Sequence, residues 1–179
     1  AVAGDFKFGT SLAFNTYWID TLRGSGGAVA GYQSRAAGIG NLLQQNTINN
    51  KGGITDLALG LAANFNEKIF VGGSLGIPFL SYKREAEFIE ADATDALNNF
   101  NFASFKENLS TKGVGINLKL GLIYKPVEQL RLGLAFHSPT FYSLTDTYSS
   151  EVTTDTEGYQ SEQTQTSDFL NGAPSEFKY

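Results

Sequence analysis

Cysteine is absent from this 179-residue chain, which excludes disulfide staples, thiolate metal sites and a cysteine nucleophile. Methionine is absent too, position 1 included. Ala1 to Asp5 has neither the basic n-region nor the apolar core of a signal peptide, so the chain reads as a processed or internal piece of a longer protein. No apolar run approaches the roughly 18 residues that cross a bilayer as a helix. Basic residues are scarce, 13 against 18 acidic ones, and a net charge of −5 argues against nucleic acid, whose phosphates need a basic surface. Histidine occurs once, at His137, and no Gly-x-Ser-x-Gly elbow supplies it with a nucleophile. Ser138 beside it points to the opposite face of an extended strand. Glu87, Glu90, Asp92 and Asp95 lack the Asp-x-Asp-x-Asp-Gly spacing that encloses calcium. No catalytic residue, metal ligand or cofactor is therefore expected, and the chain reads as something other than an enzyme.

What is present is alternation. The chain has 20 glycines, 14 phenylalanines and 8 tyrosines, and five of its stretches alternate apolar and polar residues with a period of two. From Val114 to Tyr124 every even position is bulky and apolar, while the odd positions are mostly Gly, Asn or Lys. Successive side chains of a strand point to opposite faces, so one face here is nearly pure hydrocarbon and the other polar or bare. A transmembrane β-barrel needs that arrangement, with lipid on one side and a wet or ligand-filled lumen on the other. Slightly negative mean hydropathy does not oppose it, because lumen residues cancel lipid-facing ones in any window.

Residues 1–53 are read as an N-terminal segment and a long extracellular loop, weakest at Gly24-Ser25-Gly26-Gly27. Phe6, Phe8, Thr10, Leu12, Phe14, Thr16 and Trp18 alternate as a strand would, yet Phe8, Leu12 and Tyr17 also suit one side of a short helix. Residues 54–179 are read as barrel strands. Leu57, Leu59 and Leu61 alternate with small residues before a turn at 64–67. Lys68 to Leu80 follows, and its outward positions turn charged at Lys83, Glu85 and Glu87, where a lipid band would end. Glu90 to Asn101 is a polar loop. Phe102 to Tyr124 returns, a second short turn falls at 125–129, and a strand leaves from Leu130 to about Thr154. Residues 157–168 are expected to be a polar loop tip, and Phe169 to Tyr179 the start of a further strand. Pro139 cannot donate to a ladder and marks a bulge or bend. Short turns on one side and long polar loops on the other orient such a piece, with Asn66 and Glu128 periplasmic and Asp95, Asp155 and Glu162 outside.

The ordered set Gly115-x-Asn117-x-x-x-Gly121-x-x-Tyr124-x-Pro126 and Leu130-Arg131-Leu132-Gly133-Leu134-Ala135-Phe136-His137-Ser138-Pro139-Thr140 resembles the FadL/TodX family. Leu59 to Gly73 and Gly76-Ile77-Pro78 look similar too, and the likeness is strongest over residues 53–150 and to Bacteroidetes-type members. Relatives more often carry arginine where this chain has His137. The resemblance implies an all-β, antiparallel up-and-down transmembrane β-barrel of about fourteen strands, of which this chain supplies about half. The remaining strands of the same protein would close it, since an open edge in lipid leaves backbone groups unpaired. The family's N-terminal hatch and kinked lateral gate are not found here.

The implied function is uptake of long-chain fatty acids or other hydrophobic solutes across the outer membrane of a Gram-negative bacterium. Strand parity assigns Phe70, Leu80, Tyr82 and Phe141 to an acyl-chain path, and Arg84, Lys119, Arg131 and His137 to a solute carboxylate. Against this stands pairing of the basic residues with acids on strands outside the chain. Expected contacts are the solute, membrane lipid, lipopolysaccharide or detergent, the remaining barrel strands and outer-membrane protein partners; nucleic acid is not among them. Two other readings are a structural or secretion-accessory barrel without transport and a small eight-stranded barrel ending at Phe177 and Tyr179. Asn171-Gly172-Ala173-Pro174 breaks the alternation that the second of these needs.

Overall fold

A computed structural model describes residues 6–94, 96–168 and 173–179. Asp95, Phe169, Asn171, Gly172 and the first five residues, all used above, lie outside the described residues. Among the described residues the chain is almost entirely antiparallel sheet, with one helix, α1 (Thr10–Asn15). A two-stranded sheet pairs β1 (Ile19–Arg23) with β2 (Val29–Ser34). A seven-stranded sheet has the order β3 (Leu42–Phe65), β4 (Ile69–Asp92), β5 (Phe102–Val127), β7 (Phe141–Asp155) and β8 (Glu162–Thr166). In addition β6 (Leu130–His137) pairs with β5, and β9 (Ser175–Lys178) with β7.

The chain divides into two compact units. Unit 1 comprises Ala1–Asn50, Lys83–Ser110 and Thr147–Glu176; unit 2 comprises Lys51–Tyr82, Thr111–Asp146 and Phe177–Tyr179. The long strands β3, β4, β5 and β7 contribute to both. On β4 the division falls at Lys83, where the apolar alternation of the sequence stops.

Unit 1 buries a conventional core. Phe100, Ala36 and Ala103 pack together, with Trp18, Ile39 and Leu42 against them. Of the ambiguous N-terminal stretch, Thr10–Asn15 is helix: Leu12 and Ala13 of α1 are buried, and the Thr16 N–H donates the last helical bond to the Leu12 carbonyl, 3.0 Å away. Buried hydroxyls continue that line, since Thr154 Oγ1 donates to Thr16 Oγ1 at 3.1 Å and Thr16 Oγ1 to the Leu12 carbonyl at 2.9 Å. The stretch expected as a long loop is folded into the β1–β2 hairpin. Its Gly24–Gly27 segment is the turn, closed by a bond from Gly24 N–H to Ala28 O, and Gly27 takes φ +77°, a left-handed value that glycine adopts without strain. β3 starts at Leu42, well before Ile54. The polar tip is likewise shorter than expected: Glu162–Thr166 returns as β8, with Thr153 opposite Thr164.

Unit 2 holds the two tight turns. Asn66 and Glu67 both have positive φ, 53° and 58°, and Lys68 N–H donates to Phe65 O at 3.1 Å. That is a type I′ hairpin, whose twist matches the flanking strands. Asn64 Oδ1 accepts the Glu67 N–H at 3.1 Å and fixes it. The second turn is the two residues Glu128-Gln129 between Val127 and Leu130, which are register partners.

Several glycines of unit 2 are demanded by packing. A Cβ at Gly113 would lie 2.3 Å from the Ser143 carbonyl oxygen and 3.1 Å from Leu144 Cα, both backbone atoms that cannot swing aside. At Gly121 nothing stands within 4 Å. Gly113→Ala is therefore expected to destabilise the protein by about 1–3 kcal/mol, the usual cost of overpacking, whereas Gly121→Ala leaves stability nearly unchanged. Urea unfolding of the two variants in one detergent checks the difference, and equal midpoints would contradict it.

Candidate functional site

The site is built on the sheet of unit 2. Register pairs place Leu120 opposite Phe136, Leu122 opposite Leu134 and Tyr124 opposite Leu132 on one face; Lys119 opposite His137, Gly121 opposite Ala135 and Ile123 opposite Gly133 lie on the other. Across β4 the alignment continues. Lys125 N–H donates to Lys68 O at 2.7 Å, and a Cβ at Gly73 would touch Leu120 while one at Gly76 would touch Asn117.

The two faces differ in a direction opposite to that of a water-soluble sheet. Val114, Ile116, Leu118, Leu120, Leu122 and Tyr124 are 39–49% exposed although β5 has strands on both sides. Leu134 reaches 71%, and Leu57, Leu59, Ile69, Val71, Leu75, Phe79, Leu130, Leu132 and Phe136 are exposed as well. Meanwhile Gly76, Pro78, Gly115 and Asn117, on the other face, are buried. Contiguous apolar exposure of this extent on a soluble monomer is rare. No helix or second sheet covers these residues among those described.

On the small-residue face a cavity of about 630 Å³ is lined by Phe70, Lys119, Ile123, Ala135 and His137, with Gly72, Gly121 and Gly133 leaving the room. A Cβ at Gly121 or Gly133 would meet nothing within 4 Å, so it is open space rather than packing that glycine preserves there. The volume lies within the roughly 300–1,000 Å³ typical of small-molecule sites. Among the described residues no carboxylate pairs with Lys119, Arg131 or His137.

Of the eight residues expected to meet solute, the structure brings Phe70, Lys119 and His137 together in this cavity. Leu80 and Tyr82 are half-buried further along β4, outside its lining. Arg131 is exposed on β6. Arg84 belongs to unit 1, where its charge acts on Tyr148. Phe141 requires correction. Asn117 Nδ2 donates to Thr140 Oγ1 at 3.2 Å, so Thr140 shares a face with Asn117, Lys119 and His137. Only two residues separate His137 from Thr140, so the strand carries a bulge and its alternation reverses. Phe141 thereby joins the apolar face and is 67% exposed.

The bulge is where β6 ends and β7 begins. Ser138 N–H donates to Leu118 O at 2.9 Å, and Ser138 Oγ accepts the Leu118 N–H at 2.8 Å, replacing a ladder partner. Parity counting missed what this exposes on the inner face. Tyr142 lies across Gly115, whose Cβ would stand 2.8 Å from its ring, and Asn117, 9% exposed, lies over Gly76 with Oδ1 unpartnered. Pro139 was the available signal.

The comparisons leave this geometry to stand alone. No family model, curated protein or solved structure matches the chain. No helix is long and apolar enough to cross a membrane, which says nothing of strands, and no group of three metal-ligating side chains occurs among the described residues.

Unit 1 carries the one tyrosine strongly shifted in its ionisation. Burial, then the Tyr148 hydroxyl's donation to Glu107 and that carboxylate's charge, push the phenol far above its ordinary range, with Arg84 opposing weakly. Phe8 packs edge-on against the same ring at 4.9 Å. Because the neutral phenol is the form the fold favours, this contribution is present below the ordinary tyrosine range and lost as pH rises through the folded value. At the bulge, Ser138→Ala removes the acceptor for the Leu118 N–H. It is expected to cost about 1 kcal/mol, the net worth of one such bond, while Ser81→Ala, at an exposed strand position, costs less; paired chemical unfolding curves measure it.

Proposed function

We propose that unit 2 is a sector of an outer-membrane β-barrel whose inner face forms part of the wall of a channel for hydrophobic solutes, long-chain fatty acids among them. The observation that carries this reading is the bare apolar face of β3 to β6 backed by a face of glycine, asparagine and lysine. In hydrocarbon the exposed leucines are at home, and a sheet there has its backbone groups satisfied by its own strands. The apolar bands are about the 9–11 residues that a tilted strand needs to cross. The tight turns at Asn66-Glu67 and Glu128-Gln129 suit the periplasmic side of such barrels. The resemblance to the FadL/TodX family supports the solute class, and the cavity of Phe70, Ile123, Lys119 and His137 supplies an apolar wall with the Lys119 ammonium and the His137 imidazole as hydrogen-bond donors to meet a carboxylate. No covalent step is needed: the residues bind and release.

Two measurements test it. In lipid, Leu118→Arg is expected to destabilise the protein by about 2–4 kcal/mol, as arginine does on the lipid face near mid-bilayer. On a water-exposed surface the same change stays within about 0.5 kcal/mol, and that result would remove the membrane reading. Separately, Lys119→Gln is expected to lower cellular uptake of labelled oleate about tenfold at limiting concentration, the worth of one charged hydrogen bond. Retention in the outer membrane with unchanged uptake would instead leave a structural barrel.

A further inference from the structure

Unit 1 contains a second cavity, of about 310 Å³, bounded by α1 and the strands beneath it. Ala13, Ile19, Phe105 and Val152 give it apolar walls, and Trp18 and Glu90 line it together with Gly9, Thr10 and Ser34. Trp18 is held from two directions. Its ring stacks on Phe88 at 6.4 Å and 19°, and it packs against the Phe100 core. Its Nε1–H donates to Glu90 Oε2 at 3.3 Å, while Glu90 Oε1 accepts from Gln44 Nε2 at 2.7 Å. Both donors are neutral. Among the described residues no lysine or arginine pairs with this carboxylate, although Glu85, Glu87 and Glu151 of the same unit each lie against a lysine.

A carboxylate and an indole in one apolar cavity select for positive charge on an apolar body. The carboxylate supplies the counter-charge, and an aromatic face attracts a cation through its quadrupole. The field of the unit acts in the same sense: its sequence holds 14 aspartates and glutamates against 6 lysines and arginines, a net of −8. An anionic amphipath is repelled from this cavity on both counts.

We propose that the cavity under α1 is a binding site for an organic cation with a small apolar body, an alkyl- or arylammonium, seated between Trp18 and Glu90. The site is separate from the solute path proposed for unit 2 and does not depend on it.

Trp18 is the sole tryptophan of the chain, so its emission reports on this cavity alone. The protein in a non-ionic detergent is titrated with benzyltrimethylammonium, with benzyl alcohol and with benzoate. Saturable change of Trp18 emission with the ammonium is expected, at least about tenfold tighter than with the alcohol, and none with benzoate. Glu90→Gln keeps the size and the acceptor for Trp18 Nε1–H, and is expected to weaken the ammonium about tenfold while leaving the alcohol unchanged. Ala13→Leu, which fills the cavity at some distance from Glu90, is expected to abolish both while circular dichroism stays that of the parent. Equal affinity for the ammonium and the alcohol, an ammonium affinity indifferent to Glu90→Gln, or no saturable response in the parent protein would each overturn the proposal.

Discussion

The bare face of β5 is the constraint from which the rest of unit 2 follows. β5 pairs with β4 along one edge and with β6 and then β7 along the other, so its backbone groups are satisfied laterally and only its two faces remain to be accounted for. Six consecutive outward positions from Val114 to Tyr124 carry large apolar side chains with nothing over them. Water opposes such a surface by about 25 cal/mol for each Å² of apolar area. A sheet that keeps Asn117 covered and Leu118 bare has the polarity that the proposed apolar surrounding would favour, and the residues of the opposite face differ in what they leave open or touch.

Glycine on the inner face does two different jobs. At Gly76, Gly113 and Gly115 a methyl group would strike Asn117, the Ser143–Leu144 backbone or Tyr142, so there glycine lets a cross-strand neighbour lie flat on the sheet. At Gly121 and Gly133 no neighbour is present and the absence of a side chain is what makes the cavity. The first set thickens the wall with polar and aromatic groups; the second thins it beside Lys119 and His137. A uniform reading of the glycine-rich face as lumen merges these, and only the contacts separate them.

Parity recovered the strands, both tight turns and the two faces from Leu57 to Phe136, because period two is a property of the backbone itself. It failed at Phe141 for an equally physical reason. One extra residue at Ser138-Pro139-Thr140 reverses the alternation, and a proline signals that a ladder breaks without saying by how many residues. Residues 6–18 were undecidable, since alternating phenylalanines also fit one turn of helix; what selects helix is burial of Leu12 and Ala13 and the contact of Thr16 with Thr154, 138 residues away. The Gly24–Gly27 stretch reads as loop by composition, yet Gly27 at positive φ is what closes a hairpin. Of the expected solute residues, Phe70, Lys119 and His137 line one cavity because they share a face of unit 2, whereas Arg84 lies in the other compact unit, since the units divide β4 between Tyr82 and Lys83.

The two units thus obey different rules for charge. In unit 2 Lys119 and His137 line a largely apolar cavity, and among the described residues no carboxylate pairs with either. In unit 1 acids predominate, and most are engaged by specific donors: Glu107 by Tyr148, Glu87 by Ser104 and Lys106, Glu157 by the Asn98 and Asn99 N–H groups, and Asp92 by Thr94 and Asn98. Desolvation pushes the Asp92 carboxyl up, but the hydrogen bonds from Thr94 and Asn98 together outweigh it and hold the group below the ordinary range. The stabilisation from its bonds to Thr94 and Asn98 is therefore present above the ordinary aspartate range and lost as pH falls through the lowered value. Glu90 too is engaged only by neutral donors, from Trp18 and Gln44, and what sets it apart from Glu107, Glu157 and Asp92 is its place in the lining of the cavity under α1. A carboxylate so placed has no lysine or arginine against it among the described residues, and the proposed organic cation would be its counter-charge.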